Sequence, residues 1–410
     1  MNGIFVAGVG MTPFGRLLDR SLKQLTREAV EAALADAGCE PSALEFAAFA
    51  NSMQGHMEGQ HSIRGQIALR AMGIDSIPVV NVENACASGA SALLLAASAL
   101  GSGMAEVALA VGVEKLFSED RERMYSAFDS GWDVATADEN RARLVALGAG
   151  VEAPPGSQSD RPYSVFMDVY AALARQHMRI HGSTQRQFAA VAAKNHRHSV
   201  HNPLAQFRKS YSVDEVLAGA PISFPLTVPM CSPVSDGAAA VVLCSERALA
   251  RIGRRRAVAL RALALRSGSD RESDALDRHV ARRAATAAWR EAGLGPGDVS
   301  VAEVHDATAV GEVIELEALG LFAPGEAGPA ALRGESELGG RLPVNPSGGL
   351  ECRGHPVGAT GLAQIFELVT QLRGEAGARQ VEGARVAVAE NGGGLIGVEE
   401  AVACVAVLSR

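Results

Sequence analysis

Apolar and polar positions follow the same order of patterns twice along this 410-residue chain. Short apolar runs, "GIFVAGVG" at 3–10 and "AVALRALAL" at 257–265, predict strands. Each is followed by a stretch of helical periodicity ending in Ala-Gly, a Pro-containing turn and a further apolar segment that suits a strand. These read "AVEAALADAGCEPSALEFAAFAN" at 29–51 and "AATAAWREAGLGPGDVSVAEVHD" at 284–306, an offset of 255. A second pairing sets "CASGASALLLAASALGSG…AEVALAVGVE", from Cys86, against "HPVGATGLAQIFELVTQLRG…GARVAVAEN", from His355, at an offset of 269. Each copy gives a loop, a helix opening on small residues and a β-type run. Two matches in the same order predict an α/β protein built twice, with two similar layered halves about an approximate twofold axis.

The expected N-terminal half is residues 1–117, completed by a segment near 231–250; the C-terminal half is 251–410. Residues 118–230 have no counterpart. They are rich in charge, His and Pro and carry helical patterns at 163–181 and 184–197. They predict an inserted loop domain over one end of the layers, where substrate contacts are common.

Composition narrows the function. Glycine is plentiful (44 residues) and aromatics are few (4%), which suits small-residue helices packed closely on sheets. A net charge of −8 argues against a nucleic-acid partner. The basic run "RRR" at 254–256 reads as a solvated connector. Six scattered cysteines (39, 86, 231, 244, 352 and 404) form no CxxC pair, so neither a metal site nor a disulfide framework is predicted. No leader or membrane-spanning run is read from the chain, and the expectation is a reduced, cytoplasmic protein with no membrane contact.

The duplication brings candidate chemistry together. Equivalent positions in symmetric halves meet near the axis, so Cys86 and His355 are expected to face each other at matching helix starts. A helix N-terminus favours a thiolate and a developing oxyanion, and an imidazole can take the thiol proton. His305-Asp306 stands at a strand end opposite Ala50-Asn51, and "ENGGGLIG" at 390–397 offers backbone amides to a ligand. Singly, a cysteine before a helix reads as a buried small residue, "GHP" as a turn and "GGG" as a loop. Together they hold a nucleophile, a base and oxyanion donors, the parts needed for acyl transfer.

These residues resemble the thiolase superfamily over nearly the whole chain. "NACASG" is similar to its nucleophile motif and "NPSGGLECRGHPVGATG" (345–361) to its histidine motif. "HMRIHGSTQRQFAAVAAKNHRHSVHNP" (177–203), "PLTVPMCSPVSDGAAAVV" (225–242) and "HDATAVGEVIELEALGL" (305–321) resemble the sterol-carrier-protein-type (SCP-x) branch. The resemblance implies a five-layered αβαβα thiolase fold, a homodimer or homotetramer, and acyl-CoA and CoA as substrates with no bound cofactor. In it Cys86 takes the acyl group, His355 activates it, and the amides of Cys86 and of a glycine near Gly393 hold the acyl-enzyme oxygen. His305 holds the second thioester oxygen.

One departure stands out. The family's second catalytic cysteine, just before the C-terminal glycine turn, is here Asn391, or Glu390 under a one-residue shift. The alternative place after His-Asp is Ala307. Candidates for the acid/base are therefore Glu390, Asn391, His56 in "NSMQGHMEGQ" and Cys352. The expected function is thiolytic cleavage of a 3-oxoacyl-CoA or its reverse. The alternative is a C-acyltransferase acting on a phenolic or polyketide carbon, and the third is a non-catalytic scaffold. Relatives of the second kind work with a small zinc-ribbon/OB-fold (DUF35-type) protein, which is a candidate partner.

Overall fold

The computed structural model describes residues 3–254 and 256–410. In the N-terminal half, strand β1 (Ile4–Met11) leads to helix α1 (Leu22–Ala37), β2 (Phe46–Ala50), β3 (Val79–Val82), α2 (Ser88–Gly101) and β4 (Val107–Glu114). The middle segment holds α3 (Phe166–His181) and α4 (Gln185–Ser199), after which β5 (Gly237–Ser245) returns to the first sheet. The C-terminal half runs β6 (Val258–Ser267), α5 (Val280–Ala292), β7 (Val301–Glu303), α6 (Ala309–Ala318), α7 (Thr360–Arg373), β8 (Val386–Ile396) and β9 (Glu399–Ser409).

The strands lie in the order β3-β2-β4-β5-β1-β6-β9-β8-β7. Within the first half, taken in chain order, this is third, second, fourth, fifth, first. The second half repeats it, because Val344 bridges Ala302 in parallel and occupies the missing third place. The halves join where Phe5 and Val6 of β1 pair with Ala259 and Val258 of β6.

Side-chain alternation along the strands builds the layers. On β4, Val107, Leu109, Val111 and Val113 pack toward α1, whereas Ala108 and Ala110 face α2 and α7. On β9, Ala403, Val405 and Val407 pack toward α5, and Cys404, Ala406 and Leu408 turn inward. The result is α1, a sheet, the α2/α7 layer, a second sheet and α5. This is the five-layered αβαβα architecture. Helix α2 lies between sheets and is small and apolar on nearly all sides, as a helix there must be.

The outer helices follow from local chemistry. Helix α1 buries Leu22, Leu25, Ala29, Val30, Ala33, Leu34 and Ala37, a 3–4 spacing on one face. Ser21 and Gln24 form a capping box at its start, and Gly38 closes it in the left-handed region at φ +66°. Gly293 closes α5 in the same way at φ +64°, and both helices are followed by a one-turn 3₁₀ segment opening on proline. The offset of 255 therefore holds in space.

The offset of 269 does not. Helices α2 and α7 begin at Ser88 and Thr360, 272 residues apart, and Gly89 lies against Gly361 rather than Gly358 alone. The structural counterpart of Cys86 is thus Gly358. His355 reaches the cysteine from three residues further upstream, along the 3₁₀ turn Val357–Ala359 that precedes α7.

Helices α3 and α4 occupy the predicted helical patterns and pack on α6 through Ala171, Ala174, Phe188 and Val191 against Val310 and Val313. Of the basic run, Arg254 is exposed beside Glu246, and Arg256 pairs with Asp36 and Glu375; Arg255 lies outside the described residues.

The central layer tolerates no added atoms where the halves meet. A Cβ on Gly112 of β4 would lie 2.1 Å from the Gly358 carbonyl oxygen, whereas one on Gly101, at the far end of α2, meets nothing. Gly112→Ala is expected to destabilise the fold by about 1–3 kcal/mol. Gly101→Ala should leave stability unchanged or raise it by up to about 1 kcal/mol. Urea denaturation midpoints of the two variants check this, and equal midpoints would contradict the close approach.

Candidate active site

The turn between β3 and α2 is strained and locked. Ala85 adopts φ +48°, a left-handed conformation that costs a non-glycine residue about 1–3 kcal/mol. Its N–H donates to the Glu83 carboxylate at 2.5 Å, the Asn84 N–H donates to Ser88 Oγ at 2.9 Å, and Ser88 Oγ donates to the Ala85 carbonyl at 2.6 Å. The Asn84 amide reaches Ser91 Oγ at 2.9 Å. Cys86 is thereby held two residues before the first turn of α2, its side chain packed near Met53, Leu116, Ala127 and Val357.

His355 approaches from the opposite half. Its Nε2 is 3.3 Å from Cys86 Sγ, and its Nδ1 is 2.6 Å from Thr360 Oγ1. Thr360 Oγ1 spends its one hydrogen on the Pro356 carbonyl at 3.0 Å, so it accepts from Nδ1–H. That leaves the Nε2 lone pair facing the thiol. The His355 backbone N–H donates to Ser235 Oγ at 2.9 Å, fixing the chain beneath the ring.

His305 completes the cluster. Its ring meets that of His355 edge-to-face, with centroids 5.1 Å apart and planes at 84°. The Asn391 amide nitrogen donates to His305 Nδ1 at 3.1 Å, which puts the imidazole proton on Nε2. The ligating atoms of Cys86, His305 and His355 lie within 4.8 Å of one another, close enough to share a soft cation that would block the thiol.

Burial, not the helix end, governs the charge state. It pushes the Cys86 thiol up to about 12, with the carboxylates of Glu114 and Glu83 adding to the rise. Burial also lowers His355 well below the usual imidazole range, with His305 and Arg353 contributing, and lowers His305 to about 4. The pair at rest is a neutral thiol beside a neutral imidazole, in place of the thiolate expected from the helix N-terminus.

The remaining candidates separate. The backbone amide that points at the thiol, besides that of Cys86 itself, is Gly394 and not Gly393. Gly394 sits at φ +63°, while Gly393 packs so tightly under the turn that a Cβ would lie 2.4 Å from the Asn84 carbonyl. Asn391 faces inward to His305, but Glu390, one residue earlier on β8, faces the opposite side of the sheet. Its carboxylate accepts the His305 backbone N–H at 3.1 Å and reaches no catalytic side chain among the described residues. Burial, with Glu400 beside it, pushes that carboxyl well up.

His56 is exposed and bonds the Arg123 carbonyl and Ser126 Oγ, tying down the middle segment. Cys352 is fully buried; its thiol is pushed well up by burial, and it packs by Ser199.

Sequence reasoning missed Thr360, Ser235 and Gly394, and a buried polar network under the histidine motif. Asp306 accepts the Leu350 N–H at 2.7 Å and the Asn195 amide at 3.1 Å, and Asn195 also donates to Glu351 at 2.9 Å. Two fully buried ion pairs, Lys194–Glu312 and Arg353–Glu303, both at 2.9 Å, flank it. Lys194 and Asn195 stand at apolar positions of α4. A lysine and an asparagine on a helix face that periodicity assigns to the core were the available signal.

Residues 4–213 match "Thiolase, N-terminal domain" and residues 264–410 match "Thiolase C-terminal domain-like". The chain is 39% identical to the acetyl-CoA acetyltransferase of Methanothermobacter thermautotrophicus, covering 100% of both. It is 37% identical to rabbit (Oryctolagus cuniculus) sterol carrier protein 2, covering 95% of this chain and 69% of that protein. In fold it is similar to the structure described as "Ltp2-ChsH2(DUF35) aldolase" (TM-score 0.77, 24% identity, 100% and 98% covered). It is also similar to human mitochondrial 3-ketoacyl-CoA thiolase in complex with CoA (TM-score 0.68, 18% identity, 100% and 98% covered). The chain belongs to the thiolase family. It is an acyltransferase of the thiolase type, a family that works on coenzyme A thioesters.

The neutral resting pair has a measurable consequence. A thiol raised to about 12 leaves a thiolate fraction on the order of 10⁻⁵ at pH 7, against a few per cent for an ordinary cysteine. Iodoacetamide should therefore modify Cys86 slowly at neutral pH, with a rate that climbs through pH 10 without levelling. A plateau near pH 8 in the alkylation profile would mean a preformed thiolate.

Proposed function

We propose that this protein transfers acyl groups through an S-acyl Cys86, cleaving a 3-oxoacyl-CoA with CoA or running the reverse condensation. The observation that carries this reading is the 3.3 Å approach of His355 Nε2 to Cys86 Sγ with Nδ1–H held by Thr360. As sulfur attacks the 3-oxo carbon, Nε2 takes the thiol proton. The amides of Cys86 and Gly394 are aimed where the oxyanion forms, so the charge separation that is uphill at rest is met by donors as it develops. The C2–C3 bond then breaks and its electron pair passes to the departing thioester enolate, whose oxygen His305 Nε2–H is placed to hold. The enolate carbon takes the proton held on His355 Nε2; CoA then discharges the acyl-enzyme, its thiol proton passing to the freed His355 and on to the Cys86 sulfur as that leaves.

A second reading is favoured by Asn391. A carboxamide neither gives nor takes a proton in the working range, so the residue in the place of the second cysteine is not the acid/base for the enolate. An acceptor carbon that is already acidic, such as that of a phenolic or polyketide ring, removes the need for one. This makes the C-acyltransferase the alternative.

The same reading makes the protein a cytoplasmic homodimer or homotetramer. Six free cysteines, with no disulfide among the described residues, support the compartment. No helix among the described residues is long and apolar enough to cross a membrane. The edge strand β3, which leaves Val80 40% exposed, supports pairing with a second copy. A small zinc-ribbon/OB-fold protein as a further partner draws support from the likeness to the Ltp2–ChsH2(DUF35) structure.

Intact-protein mass after mixing with a panel of acyl-CoA thioesters tests the intermediate. The wild type should gain the mass of the acyl group and lose it on adding CoA or, for the alternative, a phenolic acceptor. Cys86→Ala should gain nothing, and an adduct of equal size in that variant would overturn the assignment. His355→Ala should slow acylation by about 10²–10⁴-fold.

A further inference from the structure

A cavity of about 330 Å³ lies on the outer side of the second sheet, between α3, α5, α6 and the β8–β9 hairpin. On one wall stand His177 and His181, four apart on one face of α3, with Glu317 facing them from α6. We propose that His177, His181 and Glu317 bind a divalent transition-metal ion, zinc by donor chemistry, independently of acyl transfer.

Three observations support this. The His177 Nε2, His181 and Glu317 ligating atoms all lie within 4.8 Å of one another, and His177 Nε2 is already 3.1 Å from Glu317 Oε2. A tetrahedral zinc ion sets its nitrogen and oxygen ligands about 3.4 Å apart, so side-chain shifts on the order of 1 Å close the site. Second, His181 Nε2 is buried with no hydrogen-bond partner. A His177–Glu317 hydrogen bond alone would explain two of the three side chains and leave that nitrogen unmet, at a cost of about 1–3 kcal/mol.

Third, the outer groups are in place. Ser183 Oγ lies 2.8 Å from His177 Nδ1, and the Ala327 N–H donates to Glu317 Oε1 at 3.2 Å. Two of the three ligands, His177 and Glu317, thus have their other polar atom anchored, as is common for metal ligands. The cavity wall carries five acidic side chains against two arginines, a balance that favours a cation. Two histidines and one carboxylate form a three-ligand set, with the fourth position open to the cavity for water or for an oxygen of a bound molecule.

The test uses the full chain, stripped with a chelator and titrated with Zn²⁺ and separately with Co²⁺. Wild-type protein should bind one equivalent at this site, and the cobalt form should show visible d–d bands that survive in Cys86→Ala. That variant separates the site from the cysteine–histidine cluster, whose cobalt form would add a thiolate charge-transfer band in the near ultraviolet. Ser183→Ala should cost about 10–100-fold in affinity, and His181→Ala more than that. Glu317→Gln, which keeps the contact to Ala327, should also lose the metal while circular dichroism stays native. No bound metal, retention by His181→Ala, or loss of the metal in Cys86→Ala would each overturn the proposal.

Discussion

The structure depends on a contact made almost without side chains. At the start of α2 and α7 the two halves approach until a Cβ on Gly89 would sit 3.0 Å from the Gly358 carbonyl, and one on Gly361 would sit 2.6 Å from the Ala90 nitrogen. Two helix N-termini therefore point into one small volume, with their partial positive charges adjacent. Such an arrangement is unfavourable alone and becomes favourable as negative charge develops between them. The glycines set this distance, and the distance brings a cysteine from one half within reach of a histidine from the other.

Around that point His305 and His355 are buried and Cys86 half-buried, and burial favours the neutral form of each reacting group. Cys86 is raised and both histidines are lowered, burial being the leading cause in each case. The tautomers are imposed by neighbours: Thr360, its hydroxyl hydrogen committed to Pro356, accepts from His355, and Asn391 donates to His305. Behind them the Asp306–Asn195–Glu351 network and its two buried ion pairs secure the loop that carries His355. Breaking one partner of such a pair strands a buried charge, so this region resists change although no member touches the thiol.

Asn391 links that scaffold to the chemistry. Its position on the inward face of β8 follows from strict alternation, which sends Glu390 outward to support the His305 backbone. The residue in the place of the second cysteine is therefore an amide that orients His305. Acyl transfer to and from Cys86 remains supported by this arrangement. On the proposed reading, the carbon–carbon step rests on the substrate's own acidity more than a two-cysteine site would require.

The chain order of elements, the 255-residue repeat, and the choice of Cys86, His355 and His305 as residues that meet were legible in the sequence. Periodicity and turn residues such as Gly38 and Gly293 report local backbone preference, and these elements obey it. The true register between α2 and α7 was not legible, because the sequence match aligned small residues while packing aligned helix starts. Nor were Gly394, Thr360 and the neutral state of the thiol. Which of three glycines turns its amide inward depends on the hairpin that carries it. Which hydroxyl meets His355, and how much protein mass surrounds Cys86, depend on segments hundreds of residues apart. Those are long-range matters of distance and dielectric, and only the folded halves set them.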